Sequence, residues 1–437
     1  MSKVASDMKK QKIYKKDFDE LLGYARGIIL SDDEQEHRSV RAAQDVVLHR
    51  YNRYGMEGVH NLMALVDDCR LPSFFDGPAY EERFLSTKLM EERLNQLSRE
   101  HLGGDENFRA MAFNRLTAGV TSVILNLVPP GSMVPYVVPP YPGLALRGHP
   151  CVPRGVALAG STHKVISSTE ELEEILDEEA HVPLVAICGS YRGIIKDDLM
   201  SGICRIAHAR GILVFVDDAS GARNRVISFG QSKAADLGVD LVITSCDKAG
   251  LLGPRAGILL GRDDLMKKIE AKTVYAGVEA RPSTIASIIR CLEEFDPDNA
   301  KEMYAQWRTR HQRIWEILNP VLGDELVFDA YGGVLMGLEA FTDTVMDRAG
   351  LDEVDLAPMD ISTAHSMFML RRHGFMTITP LHYPGATKIM SVKVNTLKSP
   401  GLSDEDIAEG VLDSLDQTAK IVDDRSAMEE ILFGAPE

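Results

Sequence analysis

Two residue types, placed at the ends of two apolar runs, carry the chemistry open to this chain. The run Leu241–Thr244 leads through Ser245, Cys246 and Asp247 to Lys248, and a glycine-punctuated stretch then returns to the apolar Ile258–Leu260. A lysine at a strand end, set among small residues, is where a protein holds an amine that must lose its proton and form a Schiff base. Upstream, the run Ile212–Val216 ends in Asp217 and Asp218, followed by Ala219, Ser220 and Gly221. A carboxylate at that strand end can keep a nitrogen of the same ligand protonated. One amine could condense with a carbonyl, and one acid could hold a ring nitrogen as a cation.

These are the two groups that pyridoxal phosphate (PLP) needs: the lysine would carry it, and the aspartate would keep the pyridinium nitrogen protonated so that the ring accepts electrons. Most strand-end lysines are surface residues. Here Gly250, Gly253, Gly257 and Gly261 argue instead for a backbone that approaches a ligand closely. Asp217 and Asp218 are neighbours, so strand alternation points them to opposite sides.

The pairing resembles the fold-type I PLP-dependent enzymes, the aspartate aminotransferase superfamily. The run from Ser245-Cys246-Asp247-Lys248 to Gly253-Pro254-Arg255-Ala256-Gly257 looks most like the selenocysteine synthase (L-seryl-tRNA(Sec) selenium transferase)-like group. As an order of elements, the resemblance runs from about Ser86 to about Ile421. In the family pattern Asp-X-Ala, the aspartate two before the small residue contacts the ring nitrogen, which selects Asp217 and lays Ala219 against the ring. The family's phosphate site falls on Thr117–Ser122, a small-residue turn into a helix, where backbone N–H groups and hydroxyls can cradle an anion. Gly119, Val120 and Thr121 are carried over to that role, with Ser245 as a further contact.

An aromatic or histidine ring stacks on the cofactor in this family. Tyr136, Tyr141 and His149 are the candidates, with Tyr141 favoured. Substrate carboxylates are often held by an arginine of the small domain, because its fork matches two oxygens. This sequence places Lys393 there, a departure that leaves Arg192, Arg255, Arg281 and Arg372 as alternatives. The resemblance further implies a homodimer with its site at the subunit interface and N-terminal helices clasping the partner. It implies reaction of an amino acid or amine through an external aldimine and α-carbanion, best matched to β-elimination or replacement. Aminotransferase activity, or a non-catalytic PLP-fold binding protein, are the alternatives.

The elements that must position these residues alternate as short apolar strands and helical segments. That pattern predicts an α/β fold with a mainly parallel, seven-stranded-type sheet covered on both faces. Expected strands are 109–113, 133–138, 184–188 and those ending near Asp217 and Lys248; expected helices are 87–101, 120–127, 168–178 and 196–210. Three regions are expected: an N-terminal helical arm over 1–85, a large PLP-binding domain over 86–295, and a smaller C-terminal α/β domain over 296–437. A net charge of −17 over 437 residues speaks against non-specific binding of nucleic acid, and so against a tRNA substrate. Six scattered cysteines and no apolar membrane span or signal core suit a cytoplasmic protein with reduced thiols. Twelve dispersed histidines suggest no metal site.

Overall fold

The computed structural model describes residues 11–140, 147–189, 193–329, 333–384, 386, 388–394 and 401–436. They form two compact units, one from Ala64 to Arg308 and the other from the described residues up to Met63 and from Thr309 onward.

The Ala64–Arg308 unit is built on seven strands: β1 Phe108–Phe113, β2 Met133–Val137, β3 Thr162–Ile166, β4 Leu184–Cys188, β5 Leu213–Asp217, β6 Leu241–Ser245 and β7 Gly257–Arg262. Their order across the sheet is β1-β7-β6-β5-β4-β2-β3. The five strands from β6 to β3 run parallel, and β7 is antiparallel to both of its neighbours. Every residue of β4 and β6 is buried, as apolar runs in a parallel sheet covered on both faces should be. Alternation sorts them: Val214, Val216 and Val242 pack with Ile203 and Ala207 on one face. Phe215, Ile243 and Leu259 pack with Val120, Val123 and Val152 on the other.

Two elements differ from expectation because their residue types conceal them. Strand β3 alternates exposed Thr162 and Lys164 with half-buried residues, as an edge strand does. Helix Cys151–Leu158 contains Pro153 and Gly155, but Pro153 stands in its first turn, where no intrahelical N–H is needed. The long helix Arg83–Leu102 appears as expected and stops at Gly103, whose φ of 87° a side chain would resist.

The second unit carries a three-stranded antiparallel sheet, Leu326–Asp329, Gly333–Met336 and Met390–Val392. Helix Asp33–Tyr54 sends Val46 and Ala43 into the same core as Met359, Ile361 and Leu415. The N-terminal residues expected as a separate arm are therefore packed within this unit as far as Met63, because their apolar stripe is buried there. The division expected near 295 falls at Arg308, inside helix Pro297–Leu322. Ser403 and Asp406 cap helix Asp404–Ile421 reciprocally, as the sequence predicts. Among the described residues, no helix is long and apolar enough to cross a membrane.

This unit also holds a buried cation. Lys388 donates to the carbonyls of Thr379 and His382 at 2.9 and 2.8 Å. Burial pushes its ammonium down to about 8 from 10.5, with the Glu36 charge opposing. The unfolded chain then binds more protons than the folded one between those values, so stability should rise with pH across that window. Urea unfolding at pH 7.5, 8.5 and 9.5 is expected to show this rise, and Lys388→Met is expected to flatten it.

Candidate active site

Asp217 closes β5 at the carboxyl edge of the sheet, where open α/β folds bind ligands. Its side chain is buried, and Oδ2 accepts a hydrogen bond from the Cys151 thiol at 3.1 Å. Oδ1 is buried with no hydrogen-bond partner among the described residues. Burial pushes the carboxyl above its ordinary range, while the thiol hydrogen bond and the charge of Lys248 draw it back. An unsatisfied buried oxygen costs about 1–3 kcal/mol, more when charged, so this atom fits a protonated ring nitrogen donating to it.

Asp218 is turned to the other side of the strand. There its Oδ2 accepts from Arg225 at 3.2 Å, both side chains fully buried. Arg225 also reaches the Ser232 carbonyl at 2.5 Å and Asp197 at 3.5 Å. The remaining oxygen of Asp218 is also buried without a hydrogen-bond partner among the described residues. It lies against Gly189, where a Cβ would come within 2.2 Å, so the Arg225 pair is what separates the two acids. Asp218 is thus committed to an internal ion pair, and Asp217 is the acid whose charge awaits a partner.

Lys248 lies three residues beyond β6, half-buried, in an antiparallel bridge with Leu65. Its carbonyl accepts from Leu251 N at 3.2 Å. The next residue, Ala249, has a φ of 52°, a left-handed conformation that costs a side-chain-bearing residue about 1 kcal/mol. The Tyr304 hydroxyl donates to the Ala249 carbonyl at 2.5 Å and holds that turn. A cavity of about 10 Å³ beside Lys248, lined by Ala64, Val66, Asp247 and Trp307, has room for about one water molecule.

The glycines that follow serve the protein rather than a ligand. A Cβ on Gly253 would come within 2.5 Å of Cys291 Sγ, one on Gly257 within 2.6 Å of Leu116 Cα, and one on Gly261 within 2.2 Å of Leu241. They let β6, β7 and their helices approach closely, which corrects the ligand-approach reading.

The phosphate turn also shifts. The helix runs Leu116–Leu127, four residues earlier than expected. Ala118 N and Gly119 N already donate to the Arg115 carbonyl, at 3.1 and 3.4 Å. The first-turn amides with no intrahelical acceptor are those of Leu116 and Thr117. Val120 is fully buried in the core, and the bare Gly119 Cα admits Ile243. Both are packing residues here, while Thr121 is half-buried. Ser245 is buried at the end of β6, its N–H donating to the Ala219 carbonyl at 3.0 Å, which joins the two strand ends.

Of the ring candidates, Tyr136 is fully buried, its hydroxyl donating to the His149 carbonyl at 3.3 Å. Tyr141 and Arg192 lie outside the described residues. His149, half-buried, accepts from Cys151 N through Nδ1 at 3.3 Å. His149, Cys151 and Asp217 bring ligand-type atoms within 4.8 Å of one another, a cluster that dispersed histidines and cysteines did not announce. The Cys151 thiol is pushed well up by burial and by Asp217, so it stands as a neutral donor to the acid. Arg372 is committed to Asp413 through two bonds of 2.6 and 3.1 Å. Arg281 is exposed at the start of helix Pro282–Glu293, and Arg255 is half-buried near Asp247, whose carboxyl burial pushes up while the charges of Lys248 and Arg255 draw it back. Lys393 belongs to the other unit, bridged to Met63.

Residues 156–287 match the aminotransferase class-V family. Over 420 residues, 93% of this chain and 100% of the relative, the sequence is 30% identical to a UPF0425 pyridoxal phosphate-dependent protein of Methanothermobacter thermautotrophicus. The chain belongs to the UPF0425 family of pyridoxal phosphate-dependent proteins. PLP is accordingly its cofactor, and the chain is a PLP-dependent enzyme of fold type I. The likeness to L-seryl-tRNA(Sec) selenium transferase of Aquifex aeolicus is confined to 108 residues at 28% identity, 23% of this chain and 24% of that one. Among solved structures, N-succinyldiaminopimelate aminotransferase of Mycobacterium tuberculosis shares the fold with a TM-score of 0.51. That match covers 87% of this chain and 90% of the other at 17% identity. Asp217 ends β5, and Lys248 follows three residues after the end of the neighbouring strand β6.

Proposed function

We propose that this protein is a cytoplasmic, homodimeric lyase or transferase that breaks or replaces a bond at the β-carbon of an amino acid or amine. The observation that carries the reading is Asp217, buried with an open oxygen, on the strand next to the one that delivers Lys248. PLP, when bound, supplies an electron sink for the substrate's α-carbon. Lys248 Nζ would hold the cofactor, and the same amine would be the base that moves the substrate's α-proton. Asp217 Oδ1 would accept from the protonated ring nitrogen, and the Cys151 thiol holds the other carboxylate oxygen. The Leu116 and Thr117 amides at a helix start, with Thr121 and Ser245 hydroxyls, receive the phosphate. His149 would cover the ring, and Arg255 would meet the substrate carboxylate.

Chemistry at the β-carbon is favoured by the segment shared with the selenium transferase, whose name describes transfer of selenium to a seryl group. The net charge of −17 favours a free amino acid over a tRNA-linked one. Serine, O-phosphoserine and cysteine, offered to the PLP-loaded protein without an acceptor keto acid, are the first substrates to assay. Equal amounts of ammonia and a 2-oxo acid are expected. A product that appears only when 2-oxoglutarate is added would overturn elimination in favour of transamination, and a spectrum indifferent to every amino acid would point to a binding role.

A further inference from the structure

Arg223 is fully buried just beyond Asp217, and all five of its N–H groups find acceptors. Nε donates to the Lys248 carbonyl at 3.1 Å. One Nη1 hydrogen goes to Thr244 Oγ1 at 3.1 Å and the other to His101 Nε2 at 3.1 Å. Nη2 donates to the carbonyls of Ala219 and Ser245, each at 2.9 Å. None of the five acceptors is a carboxylate. With no carboxylate among the described residues in hydrogen-bond contact, and with the charge of Asp247 acting on it from nearby, this buried guanidinium keeps a desolvation cost that stability alone does not account for. Its acceptors do: Ala219 follows β5, Thr244 and Ser245 end β6, and Lys248 lies just past it. One rigid planar group therefore ties the strand end bearing Asp217 to the segment bearing Lys248. A lysine, with three donors at a single point, could not span them. His101 can accept only through an unprotonated Nε2, and burial together with the Arg223 charge holds its imidazole neutral.

We propose that Arg223 is a positioning residue for the cofactor-holding lysine, fixing Lys248 relative to Asp217 by joining the ends of β5 and β6, with His101 as its fifth acceptor. The inference rests on the assignment of Lys248 to PLP. Its test uses the full chain carrying Arg223→Lys, His101→Phe or His101→Gln, the last of which keeps a neutral acceptor. Two readouts are needed: the induced circular dichroism of the visible PLP band at equal occupancy, and amide hydrogen exchange of the cofactor-free chain. The dichroism reports how the ring is held, which a merely stabilising residue would leave unchanged.

Arg223→Lys and His101→Phe should lose about half or more of the dichroism. Both should exchange Ser245 and Leu251 amides roughly tenfold faster while β4 stays protected, as local loosening requires. His101→Gln should stay near wild type. Wild-type dichroism and exchange in the first two variants would overturn the proposal. Should Arg223→Lys not fold, the His101 pair decides alone, and identical behaviour of Phe and Gln variants overturns it. A wild type that takes up no PLP would sink the cofactor assignment, and the exchange of Ser245 and Leu251 would still decide whether the tie exists.

Discussion

Lys248→Ala is expected to abolish the borohydride-reducible visible band of the PLP-loaded protein. It should also lower turnover by roughly 10²–10⁴-fold from lost proton transfer alone. The fold should survive, because what anchors this residue is main chain: its carbonyl accepts from Arg223 Nε and Leu251 N, and alanine keeps both bonds. The comparison is therefore clean, with absorption spectra and intact mass after borohydride measured beside a melting curve. A variant that still retains PLP as a reduced covalent adduct would show that another amine carries the cofactor.

Asp217→Asn should slow turnover by roughly 10²–10³-fold, the size of one preorganised electrostatic contact, while leaving a PLP-binding protein. Its effect on the cofactor-free chain runs the other way. Burial raises the folded carboxyl above its unfolded range, so the wild-type chain loses stability as pH rises through that window. The asparagine lacks this loss and can still accept from the Cys151 thiol. It should melt no lower than wild type at neutral pH, with a gap that narrows in acid. A variant that melts lower at neutral pH and keeps wild-type turnover would show that Asp217 is a structural acid.

The sheet was legible because β4, β5 and β6 are uninterrupted apolar runs that no surface element would carry, and the two chemical residues stand at their ends. The edge strand β3 was hidden by exposed Thr162 and Lys164, and helix Cys151–Leu158 by its proline and glycine. Glycine was the least transparent residue type. Gly119 reads as a turn before a ligand, yet its missing Cβ admits Ile243, and Gly257 does the same for Leu116. Close packing of helix on sheet and close approach to a phosphate ask for the same residue. Cys151 and Arg223 were silent for another reason. Their roles are contacts across 66 residues to Asp217 and 122 residues to His101, which spacing along the chain does not express.

The ladder places Ser245 opposite Gly257, so the segment that carries the lysine begins and ends at one rung. Sliding β7 by one residue would turn its side chains to the opposite face against both β6 and β1, so any change of length between those two residues has to be absorbed within the connection itself. The lysine-bearing segment thus has fixed ends, and its variation is confined to what lies between them.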